Sequence, residues 1–402
     1  MTEDYQKLED LCHNVTSGGT PSRAIEAYWY GGDIPWMKTG DIKRSVIYST
    51  DEYITRQGLR NSAAKLIPEN SVIVALYGDG STAGSVAITK IELSTNQACC
   101  NLLVDNNKAH YGFIYYYLKA SYNNLVSLKS GGSQQNLNGS TIKSFPIRRV
   151  PVSTQRKIAA ILTAYDDLIE TNKRRIALLE KMAEEIYREW FVRMRFPGHQ
   201  NAKIISGMPE GWKRKRFGEF CMLKRGYDLP SDLVEEGPYP VLASTSVKTF
   251  HKHYKVEPPV ITTGRSGSLG HVLMTHSRAW PLNTTLYVYK FFGNSPFLVF
   301  YTLKNMGLEK FDSGAGVPTL NRNHVSGIPM VVPETNLQQR FDGIVEPIHQ
   351  QAETLRQENI NLTKTRDLLL PRLISGKLSV ADLDIQFPPS MRDDIDTTNH
   401  RE

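Results

Sequence analysis

Two stretches of the chain carry apolar residues at alternating spacings of three and four. In the first, Leu162, Tyr165, Ile169, Asn172, Ile176, Leu179, Ala183, Ile186 and Trp190 make one continuous seam. In the second, Val345, Ile348, Ala352, Leu355, Asn359, Leu362, Arg366, Leu369 and Leu373 repeat those spacings. The pattern predicts two long helices, the first over about 155–193, each with an apolar stripe that one partner helix would cover. Pro347 predicts that regular helix in the second starts near Ile348. Each seam holds an interior asparagine, Asn172 and Asn359. Antiparallel pairing that sets these two opposite each other also sets Leu162 against Leu369 and Ile176 against Leu355. A buried Asn pair would fix that register at some loss of stability.

Outside the seams the period changes. Short apolar runs at 71–77, 85–88 and 100–104 are bounded by turn residues and predict buried strands, with counterparts at 259–263 and 285–291. Near-helical spacing returns at 110–128 and 296–306. The fold class expected is α+β: two globular mixed α/β domains joined by two long helices that pair as an antiparallel coiled coil.

The chain is written twice. Ser130-Gly131-Gly132-Ser133-Gln134-Gln135-Asn136-Leu137-Asn138, with Ile142 and Phe145-Pro146 beyond it, is answered by Ser313-Gly314-Ala315-Gly316-Val317-Pro318-Thr319-Leu320-Asn321, with Val325 and Ile328-Pro329. Gly78-Asp79-Gly80-Ser81-Thr82-Ala83-Gly84 is answered by Gly264-Arg265-Ser266-Gly267-Ser268-Leu269-Gly270, Asn96 by Asn283, and Gln155-Arg156 by Gln339-Arg340. The period is far longer than that of solenoids or propellers and marks duplicated domains. The boundaries expected are 1–152 and 203–333 for the globular modules, 153–195 and 334–376 for the helical regions, and 377–402 for an acidic tail.

Composition narrows the function. The 402 residues carry a net charge of +7. The charge is concentrated: residues 203–333 hold +7, residues 1–152 hold +2 and residues 381–402 hold −4. A basic module is consistent with binding a phosphate backbone. Cys12, Cys99, Cys100 and Cys221 have no zinc spacing and suit a reducing compartment. A polar N-terminus and the lack of a membrane-length apolar run predict a cytoplasmic protein.

No P-loop, HExxH, GxSxG or paired-cysteine metal motif is present. Asp79 is better explained as a solvated turn carboxylate than as an acid–base group. Small residues in the repeated loops let a backbone approach a groove, while Arg, Asn, Gln and Ser supply donors and acceptors for base edges. The candidate DNA contacts are therefore Tyr77, Asp79, Ser81 and Thr82 in the first Gly-rich loop, and Gln134, Gln135 and Asn136 in the second. Their counterparts are Arg265, Ser266 and Ser268, then Val317, Thr319 and Asn321. Lys213 and Lys215, in a basic run beside Trp212, are candidates for gripping phosphates. Each has a local alternative, because loop Asn, Gln and Ser also cap backbone. A protein-assembly scaffold with two repeated binding modules is the rival reading.

Gly18-Gly19-Thr20-Pro21, Gly32-Asp33-Ile34-Pro35-Trp36, Leu66-Ile67-Pro68, Asn96-Gln97, Gln155-Arg156-Lys157-Ile158-Ala159 and Leu369-Leu370-Pro371-Arg372-Leu373-Ile374-Ser375-Gly376-Lys377-Leu378 occur in an order that resembles the specificity subunits of type I restriction–modification systems. The resemblance covers residues 7–387. It implies two target-recognition domains, each reading one half of a split, asymmetric double-stranded DNA target. It implies a coiled coil that spaces them and docks two adenine methyltransferase subunits. It further implies no catalytic residue and no cofactor in this chain. S-adenosylmethionine would come with the methyltransferase subunits, and ATP and Mg with restriction subunits. The second module departs from the pattern, with Gly226-Tyr227-Asp228-Leu229-Pro230 and Tyr239-Pro240-Val241-Leu242 where the first has its Gly-Gly-Thr-Pro and Gly-Asp-Ile-Pro-Trp strings.

Overall fold

The structure, a computed structural model, describes residues 4–78, 81–129, 136–314 and 316–391. The chain forms two compact units, Met1–Thr171 with Glu358–Glu402, and Asn172–Gln357. Two long helices, Val152–Tyr187 and Thr335–Ile374, each contribute one part to either unit. The architecture is α+β, with two mixed domains and a helix pair, as the periodicities predict.

In the first unit the predicted apolar runs form Val72–Ala75, Val86–Thr89 and Cys99–Val104. They join Cys12–Ser17 and Val46–Ile47 in a five-stranded sheet. A second sheet pairs Ile34–Met37 with Glu52–Ile54 and, in parallel, with Leu93–Thr95. The stretch predicted as one helix is two, Tyr111–Ala120 and Tyr122–Ser127. The break falls at Ser121, whose N–H closes onto the Tyr117 and Leu118 carbonyls. Val72, Leu102, Phe113, Ile114 and Leu118 pack with Ile158, Leu162, Leu370 and Leu373 in one core. Cys12, Cys99 and Cys100 are buried, which pushes each thiol up to about 12 and makes them inert core residues.

The second unit repeats the plan. Met222–Arg225, Thr285–Lys290, Val260–Gly264 and Val272–Thr275 follow one another in a four-stranded sheet. Tyr239–Leu242 pairs with Val247–His251 and, in parallel, with Trp280–Pro281. Tyr239-Pro240 therefore stands where Ile34-Pro35 stands in the first unit. The departure seen in the sequence is a substitution within a conserved plan of strands. Pro296–Asn305 starts at a Ser295 cap and buries Phe297, Leu298, Phe300 and Tyr301 against Tyr187, Leu337, Phe341 and Val345.

The helix pair is antiparallel inside each unit. In the first, Asn359 Nδ2 donates to the Ile169 carbonyl at 3.3 Å and Arg366 pairs with Asp166. In the second, Arg356 pairs with Glu180, and Tyr187 and Trp190 pack on Phe341. Asn172 is 1 % exposed. The second helix does not begin near Ile348: it runs from Thr335 straight through Pro347. Pro347 has no N–H for the Gly343 carbonyl, but both residues are exposed, so the gap in the helical ladder falls at the surface. Buried Phe341 and Val345 hold the turn in place. At the far end Gly376, at φ +73°, closes the helix as its N–H bonds to the Leu373 carbonyl and Leu378 N–H to the Arg372 carbonyl.

One glutamine braces each unit. Gln155 accepts from the His110 N–H at 2.9 Å and donates to the Val150 carbonyl at 2.8 Å. Gln338 accepts from the Ser295 N–H at 2.8 Å and donates to the Pro333 carbonyl at 2.9 Å. Gln338, rather than Gln339, is thus the counterpart of Gln155, an offset of 183 that also carries the first seam onto the second.

His349 carries a pH prediction. Its Nε2 lies 2.7 Å from Tyr301 Oη. Burial, with the positive charge of nearby His276, Arg356 and Lys304, lowers its pKa to about 4. Neutral His349 therefore stabilises the fold fully above about pH 6.5, and that contribution drains away as pH falls towards about 4. Urea unfolding across that window should show a loss of about 2–3 kcal/mol that His349→Gln removes.

Candidate nucleic-acid interface

In the second unit the sequence-predicted loops are clasped together. Arg265 and Ser266 N–H groups donate to the Thr284 carbonyl at 2.8 and 3.2 Å. Gly267 N–H donates to the Pro318 carbonyl, Leu320 N–H to the Arg265 carbonyl, and Ser266 bridges to Thr319. Asp312 accepts from the Gly314 and Thr319 N–H groups at 2.9 and 2.8 Å, which holds its carboxyl below the usual range. The close approach explains the glycines: a Cβ on Gly264 would meet the Ser268 carbonyl at 1.8 Å, and one on Gly314 the Val317 carbonyl at 1.9 Å. The Gly-Arg-Ser-Gly string and the Pro318-Thr319-Leu320 stretch thus form one two-loop surface.

The candidate residues divide by exposure. Ser268 and Val317 point to solvent, and Arg265, Ser266 and Thr319 are half-buried. Arg265 Nη1 donates to the Asn283 carbonyl at 3.3 Å. Thr319 Oγ1 donates to the Val317 carbonyl. Asn321 Oδ1 accepts from Asn323 N–H and caps the helix Arg322–Ser326, as Asn138 caps Gly139–Lys143. The repeated Leu-Asn pair is therefore a buried anchor followed by a helix cap.

In the first unit Tyr77 and Ser81 are exposed and Asn136 is half-buried. Thr82 is only 6 % exposed, turned inward beneath Gly78, so its hydroxyl is not offered to a ligand. Asp79, Gln134 and Gln135 lie outside the described residues. Lys213 and Lys215 stand on a separate ladder, Lys213–Arg216 paired with Pro329–Val332.

Other basic and aromatic groups of the second unit escape loop-based reasoning. Lys224 Nζ lies 4.9 Å from the ring centre of Tyr289, itself 57 % exposed. Lys255 Nζ lies 4.8 Å from that of Trp280, and the Arg278 guanidinium 4.7 Å from that of Tyr254. Cation-on-ring pairs of this kind keep charges raised and oriented at a surface, which suits phosphate and sugar contacts. The alternation of Leu286, Val288 with Tyr287, Tyr289 signals one apolar and one polar face, but not which strand would lie beside it.

Among the described residues no group of three or more His, Cys, Asp or Glu side chains is placed to hold a metal ion. No described helix is long and apolar enough to cross a membrane.

The family model of the type I restriction modification DNA specificity domain matches residues 2–181. The chain is 26% identical over 412 residues to the Type I restriction enzyme MjaIX specificity subunit of Methanocaldococcus jannaschii, covering 94% of both chains. It is 23% identical over 341 residues to the EcoprrI specificity subunit of Escherichia coli, covering 81% of this chain and 82% of that one. The crystal structure of a type-I restriction-modification S subunit from M. genitalium matches with a TM-score of 0.60 at 20% identity, over 92% of this chain and 96% of that one. That likeness is one of fold. Domain model and full-length relatives agree in what they resemble: the chain is similar to the specificity subunits of type I restriction–modification systems.

Proposed function

We propose that the chain reads a bipartite, asymmetric double-stranded DNA target, one half-site per globular domain, and has no catalytic residue of its own. Residues 1–152 and 203–333 act as the target-recognition domains, and the helical regions 153–195 and 334–376 dock two adenine methyltransferase subunits. S-adenosylmethionine enters with those subunits, and ATP and Mg with restriction subunits. The assembly works in the cytoplasm. The observation that carries this reading is the repeated plan of strands with unlike surfaces. The framework caps and braces recur, while the residues displayed around them differ in identity and in charge, +2 against +7. Two unlike readers on one framework suit an asymmetric target.

Binding of the chain with its methyltransferase partner should be sequence-selective and fall steeply with salt. Binding insensitive to both would favour the scaffold reading instead. Lys213→Ala and Lys215→Ala should each weaken binding evenly across sequences and reduce the slope of log affinity against log salt by about 1. A change in base preference would place these lysines at base edges instead.

A further inference from the structure

The offset of 183 set by the two bracing glutamines superimposes a covered helix face in the first unit on a bare one in the second. In the first unit the chain's own segment 381–391 lies on the helix Val152–Tyr187. Lys157 Nζ donates to the Ala381 carbonyl at 2.6 Å. Met391, 2 % exposed, packs on Ala159 and Ala160, with Ile385 and Phe387 beside it. Ser390 Oγ donates to Asp167 Oδ2 at 2.5 Å. Under Met391 only ≈ 30 Å³ of space remains, lined by Lys90, Tyr116 and Asp166 among others.

Among the described residues the second unit has the same face without a cover. Arg340, Gly343 and Gln350 stand at the places of Lys157, Ala160 and Asp167, and all three are exposed. The Tyr301–His349 hydrogen bond of 2.7 Å replaces the Tyr116–Asp166 hydrogen bond of 2.7 Å. His276 follows the strand Val272–Thr275 as Lys90 follows Val86–Thr89. Here a cleft of ≈ 510 Å³ opens, lined by His276, Glu346, His349 and Gln350 among others. Pro347 also leaves the Gly343 carbonyl without its helical N–H, an acceptor on the same face.

We propose that this face of the second unit binds an extended segment of a partner polypeptide. The segment is acidic at its start and apolar, with proline, towards its end, the chemistry of residues 381–391. The occupied copy supplies the template. A backbone carbonyl meets Arg340 as that of Ala381 meets Lys157, acidic residues lie beside Arg340 and away from Glu346 and Glu353 of the cleft, and apolar side chains cover Gly343. The proposal does not depend on DNA reading, because no candidate DNA contact lies on this face.

The test is titration of a fluorescent peptide with the sequence of residues 381–391 into the full chain. Saturable binding is expected, weakened about tenfold or more by Gly343→Trp and by Arg340→Glu. A Cβ at Gly343 meets nothing within 4 Å, so the substitution blocks the face without disturbing the core. Unchanged helical content and thermal midpoint would confirm a local effect. No saturable binding, or binding indifferent to both substitutions, overturns the proposal. A self-associated chain that the peptide splits into monomers would also overturn it, by making a second copy the occupant.

Discussion

Arg366→Ala should destabilise the chain by about 3–5 kcal/mol in urea unfolding followed by circular dichroism. Arg366 occupies a seam position where its periodicity calls for an apolar residue, and its side chain is 14 % exposed. It pairs there with Asp166, whose side chain is 13 % exposed and which also accepts from Tyr116 Oη at 2.7 Å. Burial works against the charge on Arg366, but Asp166 and Asp367 together raise its pKa, so it stays protonated. Truncation leaves the Asp166 carboxylate buried with one hydroxyl for company, and the loss is mainly the desolvation of that orphaned charge. The control is the double variant Arg366→Leu with Asp166→Leu, which should recover most of the loss, because an apolar pair of similar volume needs no compensation. A loss under about 1 kcal/mol for the single variant would mean that water reaches the pair.

Arg366 also shows what the sequence hides. Its place in the heptad was legible, since the spacing on either side admits no other register. Its partner was not, because Asp166 is off the a/d stripe and nothing along the chain brings it to Arg366. The seams, the strands and the duplication were legible for one reason: each is a periodic or repeated signal that averages over many residues. Single-residue outcomes were not. Pro347 looked like a helix start, yet exposure of the Gly343 carbonyl lets the helix pass through it. Asn321 looked like a base reader, yet its oxygen is taken by a backbone N–H two residues on. Thr82 shares a loop with exposed Ser81 but faces the other way. The Tyr239-Pro240 strand has little identity with Ile34-Pro35, because exposed faces of a sheet tolerate change that its ladder does not register. Residues 381–391 read as part of an acidic tail, since their negative net charge masks the spaced anchors Ile385, Phe387 and Met391.

Exchange of residues 203–333 for the matching module of a relative with another target should lower affinity for the original DNA by roughly 10³-fold or more. Each mismatched base pair removes about 1–3 kcal/mol, so the loss of several contacts in one half-site returns binding to its non-specific level. The cut points favour a folded product. The ladder between Lys213–Arg216 and Pro329–Val332 lies wholly inside the exchanged piece and travels with it. What the donor must match is the surface offered to the retained helices. Tyr187 and Phe341 pack on Tyr301, and Gln338 needs a backbone N–H at the place of Ser295. A donor that keeps an aromatic residue and a helix start at those positions should leave thermal stability nearly unchanged. Adenine methylation mapping of the reassembled complex should then show one half of the target replaced and the other half kept. Alteration of both halves would mean that the modules do not read independently. Retention of the original target would mean that bases are read from outside residues 203–333.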